Sequence, residues 1–371
     1  MKILIVMGTR PEAIKMAPLV RELLARPQAF SRVAVCLTGQ HRELIEPVMS
    51  LFELPAHYNL NLMRPKQTIY DITCAVLLGV RNIIGEEKPD MVLYHGDTTT
   101  AFSAALACFY EKVLSGHVEA GLRTRDKWRP FPEEMNRRMI DDMCDWRYAP
   151  TEEARENMLF ERISPRRIVV TGNTVVDALR HIASLPHRFD DPLLESLGQE
   201  RPMMLVTAHR RESFGGAMNG ISTALLEIAR RNPGVDIVFP VHPNPNVRAA
   251  VAPLRGMPGL HLIDPLDYLQ FIHLLKRARL ALTDSGGIQE EAPSLGVPLL
   301  VMRDVTERPE AVEAGLARLV GTDPDRIIDA VGELLHDDAA HAAMTGRPSP
   351  YGDGRAAVHI ADHMETLAKK K

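Results

Sequence analysis

Long apolar runs are absent from this 371-residue chain. No stretch approaches the roughly 20 consecutive residues that cross a bilayer, so no membrane partner is expected. The opening MKILIVMGTR holds an apolar run too short for a signal peptide, and a cytoplasmic location is the expectation. Cysteine is scarce. Cys36, Cys74, Cys108 and Cys144 lie far apart with no C-x-x-C, which argues against a disulfide framework and fits a reducing compartment. An excess of basic charge is also missing: 44 Lys and Arg against 48 Asp and Glu give a net charge of −4. That balance excludes the global positive field of a nucleic-acid binder, so any anionic ligand must be held by local groups. The first apolar run leads into MGTRPE, with one glycine, and lacks the G-x-G-x-x-G of dinucleotide binding. No G-x-x-x-x-G-K-[ST] occurs, and the histidines are too scattered for a structural zinc site. Neither a cofactor nor a metal is expected.

What the chain does contain is an α/β grammar written twice. Short runs rich in Val, Ile and Leu recur at 3–7, 33–39, 91–97, 114–120 and 168–173, and again at 203–209, 236–242, 260–265, 280–285 and 298–304. Such runs suit parallel strands buried on both faces, and amphipathic helical patterns separate them. After the first run Thr9 can cap a helix, Pro11 suits its first turn, and Pro18 predicts a kink. The economical architecture is two Rossmann-like doubly wound α/β domains. The first spans 1–172 and the second 173–355, with the hinge around Gly172 to Leu179 and a C-terminal helix, 356–371, packed back on the first domain.

In open parallel sheets ligands bind beyond the carboxyl ends of the strands. Reading off those ends gives Arg10 with Lys15 beyond, His95 and Asp97, His117 and Glu119, His209 and Arg210, His242, Asp284 to Gly287, and Arg303, with Arg308 following. So many acids, imidazoles and bases on two sheet edges would be costly to bury without a task, and an active-site cleft between the domains is expected. Arg10, Lys15, His209, Arg210 and Arg308 could neutralise a diphosphate. Asp97, Glu119 and Glu133 are the candidates for proton transfer, whereas Glu134 reads as a charge at a helix N-terminus. In TDSGGIQEEAPSLGVP, Gly286 and Gly287 allow close backbone approach just where a helix start would offer free N–H groups. Ser285, Gly286 and Gly287 therefore suit phosphate oxygens, and Glu290 or Glu291 a ribose diol. A nucleoside diphosphate carrying a further group is the expected ligand.

GTRPEAIKMAPL, HGDTTT, GHVEAGLRT, PEEMNRR, TGNTVVDAL, TAHRRESFG, PVHPNPNV and TDSGGIQEEAPSLGVP together resemble the motif series of the non-hydrolysing UDP-N-acetylglucosamine 2-epimerases. The match runs in order from residue 1 to about 355. The resemblance implies a glycosyltransferase-B-like architecture, a homodimer, and no nicotinamide or metal requirement. It places the diphosphate on Arg10, His209, Ser285, Gly286 and Gly287, and the ribose on Glu291. Lys15, Asp97, Glu119, Glu133, Arg137 and His209 match catalytic or substrate-positioning residues. The activity implied is reversible epimerisation of UDP-N-acetylglucosamine to UDP-N-acetylmannosamine by elimination and readdition of UDP, supplying precursor for bacterial surface polysaccharide. A hydrolysing epimerase and a UDP-sugar glycosyltransferase are the alternatives, and a non-catalytic nucleotide-sugar sensor is a third. Gln40 and His41 resemble part of a site for a second, activating UDP-N-acetylglucosamine, although Lys66 stands where activator-dependent members would carry arginine.

Overall fold

Each of the ten apolar runs contains a strand in the computed structural model, which describes residues 1–39, 42–64, 66–208, 216–306 and 308–369. The chain divides into two compact units, one of residues 1–178 with 351–371 and one of residues 179–350. The boundary thus falls inside the Thr174–Ser184 helix. The first unit holds β1 (Lys2–Met7), β2 (Arg32–Leu37), β3 (Tyr58–Asn59), β4 (Met91–His95), β5 (Leu114–Val118), β6 (Trp146–Ala149) and β7 (Ile168–Val170). They form one parallel sheet in the order β3-β2-β1-β4-β5-β6-β7. The second unit holds β8 (Met203–Thr207), β9 (Asp236–Pro240), β10 (Leu260–Ile263), β11 (Leu280–Thr283), β12 (Leu299–Val301) and β13 (Ala317–Leu319). Their order is β10-β9-β8-β11-β12-β13, again all parallel.

Both orders reverse direction once, between β1 and β4 and between β8 and β11. Connections on the two sides of a reversal diverge to opposite faces, which opens a crevice beyond the carboxyl ends there. The turns that carry Gly8-Thr9-Arg10 and Gly96-Asp97 flank the first reversal, and Asp284 to Gly287 follow β11 at the second. Both sheets are buried on both faces by apolar side chains: Leu4 and Val6 on one face of the first and Ile3 and Ile5 on the other, Val206 and Phe239 on one face of the second and Leu205 and Val238 on the other. That burial supplies the main driving force for each unit.

Local chemistry accounts for how the turns are held. Thr9 caps the Arg10–Leu24 helix in a full capping box with Glu12, Pro11 lies in its first turn, and the helix runs unbroken across Pro18. Three strands escaped the hydrophobic pattern. β3 is only two residues long, β13 is three, and β6 carries Arg147 in its middle. Arg147 is nonetheless buried, because its guanidinium donates to the backbone carbonyls of Asp141 and Asp145. The C-terminal Ala356–Ala368 helix lies in the first unit, where Arg26 pairs with Asp362 at 2.6 Å. Among the described residues no helix is long and apolar enough to cross a membrane.

Gly121, just after β5, has φ +90° and donates its N–H to Asp141 Oδ2 at 3.1 Å. A Cβ there would run into the backbone carbonyl of Ala154 and come within 2.8 Å of Met158 Cε. Gly121→Ala should therefore destabilise the first unit by about 1–3 kcal/mol, through left-handed strain and overpacking combined. Denaturant unfolding checks this, and an unchanged midpoint would contradict it.

Candidate active site

The site in the first unit is built from the turns after β1, β4 and β5. Glu12, 2% exposed, accepts from the N–H groups of Gly8 and Thr9 at 2.7 and 2.6 Å and from Thr98 Oγ1 at 2.5 Å. Burial raises its pKa, with the Thr98 and Gly8 hydrogen bonds opposing the shift. Since Thr98 in turn caps the Thr99–Glu111 helix, this one carboxylate ties together the two turns that flank the reversal in strand order. Arg10 opens the first helix, half-buried, and Lys15 follows just over one turn later, on its buried face.

Lys15 forms an ion pair with Glu119 Oε2, and the two side chains are only 9% and 8% exposed. Asn173 Nδ2 donates to the same oxygen at 3.1 Å, and His95 Nε2 stands 3.5 Å from it. Glu119 is also one of the few non-glycine residues in a left-handed conformation, at φ +67°. Its own N–H and that of Ala120 both donate to the Tyr148 carbonyl at 3.1 Å, which fixes this costly turn. Below it, His117 bridges Asp141 Oδ1 and the Gly96 carbonyl, at 2.7 Å each, and Arg123 Nη2 reaches Asp141 Oδ2 at 2.8 Å. Burial pushes the Asp141 carboxyl up, but His117 and Arg123 outweigh it and hold it low. His117, Asp141 and Cys144 are close enough together for a cation, yet Arg123 already supplies the positive charge and both histidine nitrogens are engaged. Burial also raises the Cys144 thiol, which disfavours the thiolate a metal would need.

Asp97 lies beyond β4, the strand that pairs with β5, and Arg137 grips its Oδ2 through Nε at 3.0 Å and Nη2 at 2.5 Å. Asn136 holds the Asp97 carbonyl at 2.9 Å. Glu134 is more than a helix-terminal charge. Fully buried, it accepts from the N–H groups of Thr124 and Arg125 and from Arg137 Nη1, so it anchors the 122–132 loop. Its neighbour Glu133 is different: Oε2 is buried without a hydrogen-bond partner. Burial first and the Asp97 charge second raise its pKa, against its own backbone N–H and Arg137. Two carboxylates of unlike environment thus stand together, as acid–base chemistry requires.

In the second unit, Ser285 is the N-cap of the Gly286–Ser294 helix, but its side chain makes no capping hydrogen bond. The first turn therefore keeps backbone donors and the positive dipole end for another acceptor. Behind it the polar groups are tied. Thr207 and Thr283 share a hydrogen bond of 2.6 Å, Thr283 Oγ1 accepts from the Ser285 N–H at 2.9 Å, and Arg308 Nε pairs with Glu290 Oε1 at 2.6 Å. Tyr268 donates to Glu291 Oε1 at 3.3 Å. A Cβ on Gly287 would meet nothing within 4 Å. His242 is exposed and accepts from the Asn244 N–H, and Lys66 sits exposed in a left-handed turn at φ +62°. Gln40, His41, His209 and Arg210 lie outside the described residues. Glu12, Asn136 and Asn173 were not selected from sequence as site residues, and His95 was read there only as a polar strand end without a role. Their neighbours in the strand-end motifs were the available signal.

Two parallel α/β units with polar turns at the carboxyl edges define a glycosyltransferase-B-type fold. At the level of fold alone the chain resembles the glycotransferase of kitacinnamycin, with a TM-score of 0.63 at 16% identity over 100% of this chain and 97% of that one. Residues 24–365 match the family model for UDP-N-acetylglucosamine 2-epimerase. The chain is 52% identical over 379 residues to the UDP-N-acetylglucosamine 2-epimerase of Yersinia pestis, covering 99% of this chain and 100% of that one. The crystal structure of the Neisseria meningitidis UDP-GlcNAc 2-epimerase bound to UDP-GlcNAc superposes with a TM-score of 0.89 at 42% identity, covering all of both chains. The chain belongs to the UDP-N-acetylglucosamine 2-epimerase family.

Because the Glu133 pKa is raised on folding, its ionised form costs stability. That cost is absent below the unfolded value and complete above the folded one. Glu133→Gln should therefore unfold at a higher temperature than wild type at neutral pH, and the two should converge below about pH 4, where an unfolded glutamate protonates. A melting series from pH 4 to 8 checks the sign, and a variant less stable than wild type at neutral pH would contradict it.

Proposed function

We propose that the chain is a reversible, non-hydrolysing epimerase that converts UDP-N-acetylglucosamine to UDP-N-acetylmannosamine with the nucleotide kept on the product. The observation that carries the reading is the concentration of carboxylates on one sheet edge, with Lys15–Glu119 buried as a pair and Glu133 held towards its protonated form. C2 of the pyranosyl sugar has no neighbouring carbonyl, so its proton is not acidic enough for simple removal and return. Elimination solves this. A carboxylate takes the C2 proton as the C1–oxygen bond breaks, leaving UDP and 2-acetamidoglucal. A β-phosphate oxygen of UDP then re-forms the bond to C1 while a second carboxylate returns a proton to the opposite face of C2.

Asp97, Glu119 and Glu133 are the proposed proton-handling groups, with Lys15 and Arg137 orienting them. Ser285, Gly286 and Gly287 are proposed to hold the departing diphosphate through backbone donors, with Arg10, His209, Arg210, His242 and Arg308 as further anion contacts and Glu291 on the ribose. The low exposure of Lys15, Glu119 and Arg137 favours this over the hydrolysing alternative, because a site that shuts out water protects the glucal. A glycosyltransferase would need an acceptor and would leave the proton-handling groups without a task. The proposal extends to a homodimer, to activation by a second UDP-N-acetylglucosamine near Gln40, His41 and Lys66, and to supply of a surface-polysaccharide precursor.

Incubation with UDP-N-acetylglucosamine alone in D2O is the deciding test. The expected product is UDP-N-acetylmannosamine carrying deuterium at C2, and Asp97→Asn, Glu119→Gln and Glu133→Gln should each lower kcat by roughly 10²–10⁴. Free N-acetylmannosamine would select the hydrolysing reaction, and epimerisation without C2 deuterium would exclude elimination.

The phosphate assignment has a separate test. Because Gly287 has open space around it, Gly287→Val should fold as wild type does yet bind UDP at least about tenfold more weakly, by blocking close backbone approach. Calorimetric titration with UDP reads this, and unchanged affinity would remove Gly287 from the site.

A further inference from the structure

His95 closes β4 and is 4% exposed. Neither ring nitrogen has a hydrogen-bond partner, although nearly every other polar group around it is tied. A buried, unpartnered imidazole costs stability that an aromatic hydrocarbon of similar size would not. The ring is nevertheless aimed at chemistry. Nε2 lies 3.5 Å from Glu119 Oε2, the oxygen that Lys15 Nζ and Asn173 Nδ2 already approach. The Glu12 carboxylate lies close enough to interact with it electrostatically. His95 thus stands between two carboxylates on the strand that separates β1 from β5, with Val118 as its ladder partner.

We propose that His95 is a positioning residue for proton transfer at Glu119. In the working state its Nε2–H closes on Oε2 as a third donor beside Lys15 and Asn173, holds negative charge on that oxygen, and directs the exchanged proton away from it. Hydrogen bonds of this kind are commonly long before substrate binds and tighten in the reacting complex. The groups that face the pair are Lys15 and Glu12 from the Arg10–Leu24 helix and Asn173 from the turn after β7. The proposal rests on the epimerase reading above, since it needs Glu119 to exchange a proton with substrate.

Three variants test it. Phenylalanine keeps the ring's bulk and removes both nitrogens; glutamine places an amide nitrogen near the position of Nε2; asparagine places one near Nδ1. His95→Phe should melt no lower than wild type and lower kcat by about tenfold or more, with KM little changed. Losing a donor disfavours the charged carboxylate, so the limb of the kcat–pH profile that Glu119 governs should move to higher pH by about one unit. His95→Gln should return that limb to its wild-type position and His95→Asn should not. A limb unmoved in a folded His95→Phe, or restored equally by asparagine and glutamine, overturns the proposal. Should the phenylalanine variant not fold, the glutamine–asparagine contrast decides alone, equal profiles being the overturning result. Wild type that fails to convert UDP-N-acetylglucosamine would overturn the epimerase reading and this one with it. Active wild type with an unmoved limb would remove only the role of His95.

Discussion

A lysine and a glutamate buried against each other set the geometry on which the first unit's chemistry depends. Lys15 follows β1 and Glu119 follows β5, two strands away, so their ion pair spans the carboxyl end of β4. Neither charge could remain there alone: breaking a buried pair by removing one partner typically costs about 3–5 kcal/mol. The pairing fixes the first helix to the β5 turn, and the left-handed backbone at Glu119 becomes tolerable because side chain and N–H are both held. What the fold gains is a carboxylate of defined direction, close to His95 and removed from bulk water.

The surrounding carboxylates differ by environment rather than by residue type. Glu12 and Asp141 are both wholly buried, yet burial prevails in Glu12, while His117 and Arg123 prevail in Asp141. Both are spent on structure, one joining the turns after β1 and β4, the other joining β5 to Arg123 and Gly121. Glu134 belongs with them, since its three donors come from the loop it anchors and from Arg137. Glu133 is the exception. Burial raises its pKa as it does that of Glu12, but its buried Oε2 is unpartnered, whereas both Glu12 oxygens are engaged in holding the turns.

The strands and the polar turns that follow them were legible because parallel strands buried on both faces must be apolar, whereas the turns beyond their carboxyl ends are free to be polar. Ten strands announced themselves that way. β6 did not, because Arg147 satisfies its charge with backbone carbonyls that no local pattern reveals. The same limit explains the site. Asp97 and Glu119 could be selected as acids on neighbouring strand ends, but Arg137, forty positions from Asp97, entered only through family resemblance. Glu134 was read as a helix-end charge because the first-turn position is visible in sequence and the Thr124 and Arg125 donors are not. His95 looked like the last residue of a strand, and only tertiary packing aims it at Glu119.

The second unit uses a different economy. Thr207 pairs with Thr283 beneath the start of the Gly286–Ser294 helix, and Glu290 of that helix pairs with Arg308, so these polar groups are paired within the unit. Ser285 stands at the N-cap and leaves the cap unmade. A serine that caps its own helix satisfies one of the free N–H groups and weakens the attraction for an incoming anion. Leaving it uncapped gives up the stability a cap supplies, about 1 kcal/mol, and keeps the donors directed at whatever binds. On the proposed reading that acceptor is a diphosphate whose charge grows as the bond to C1 breaks, so donors already oriented gain most when the leaving group is fully formed. The same feature that makes this helix start less stable alone would then make the departing nucleotide easier to hold and to return.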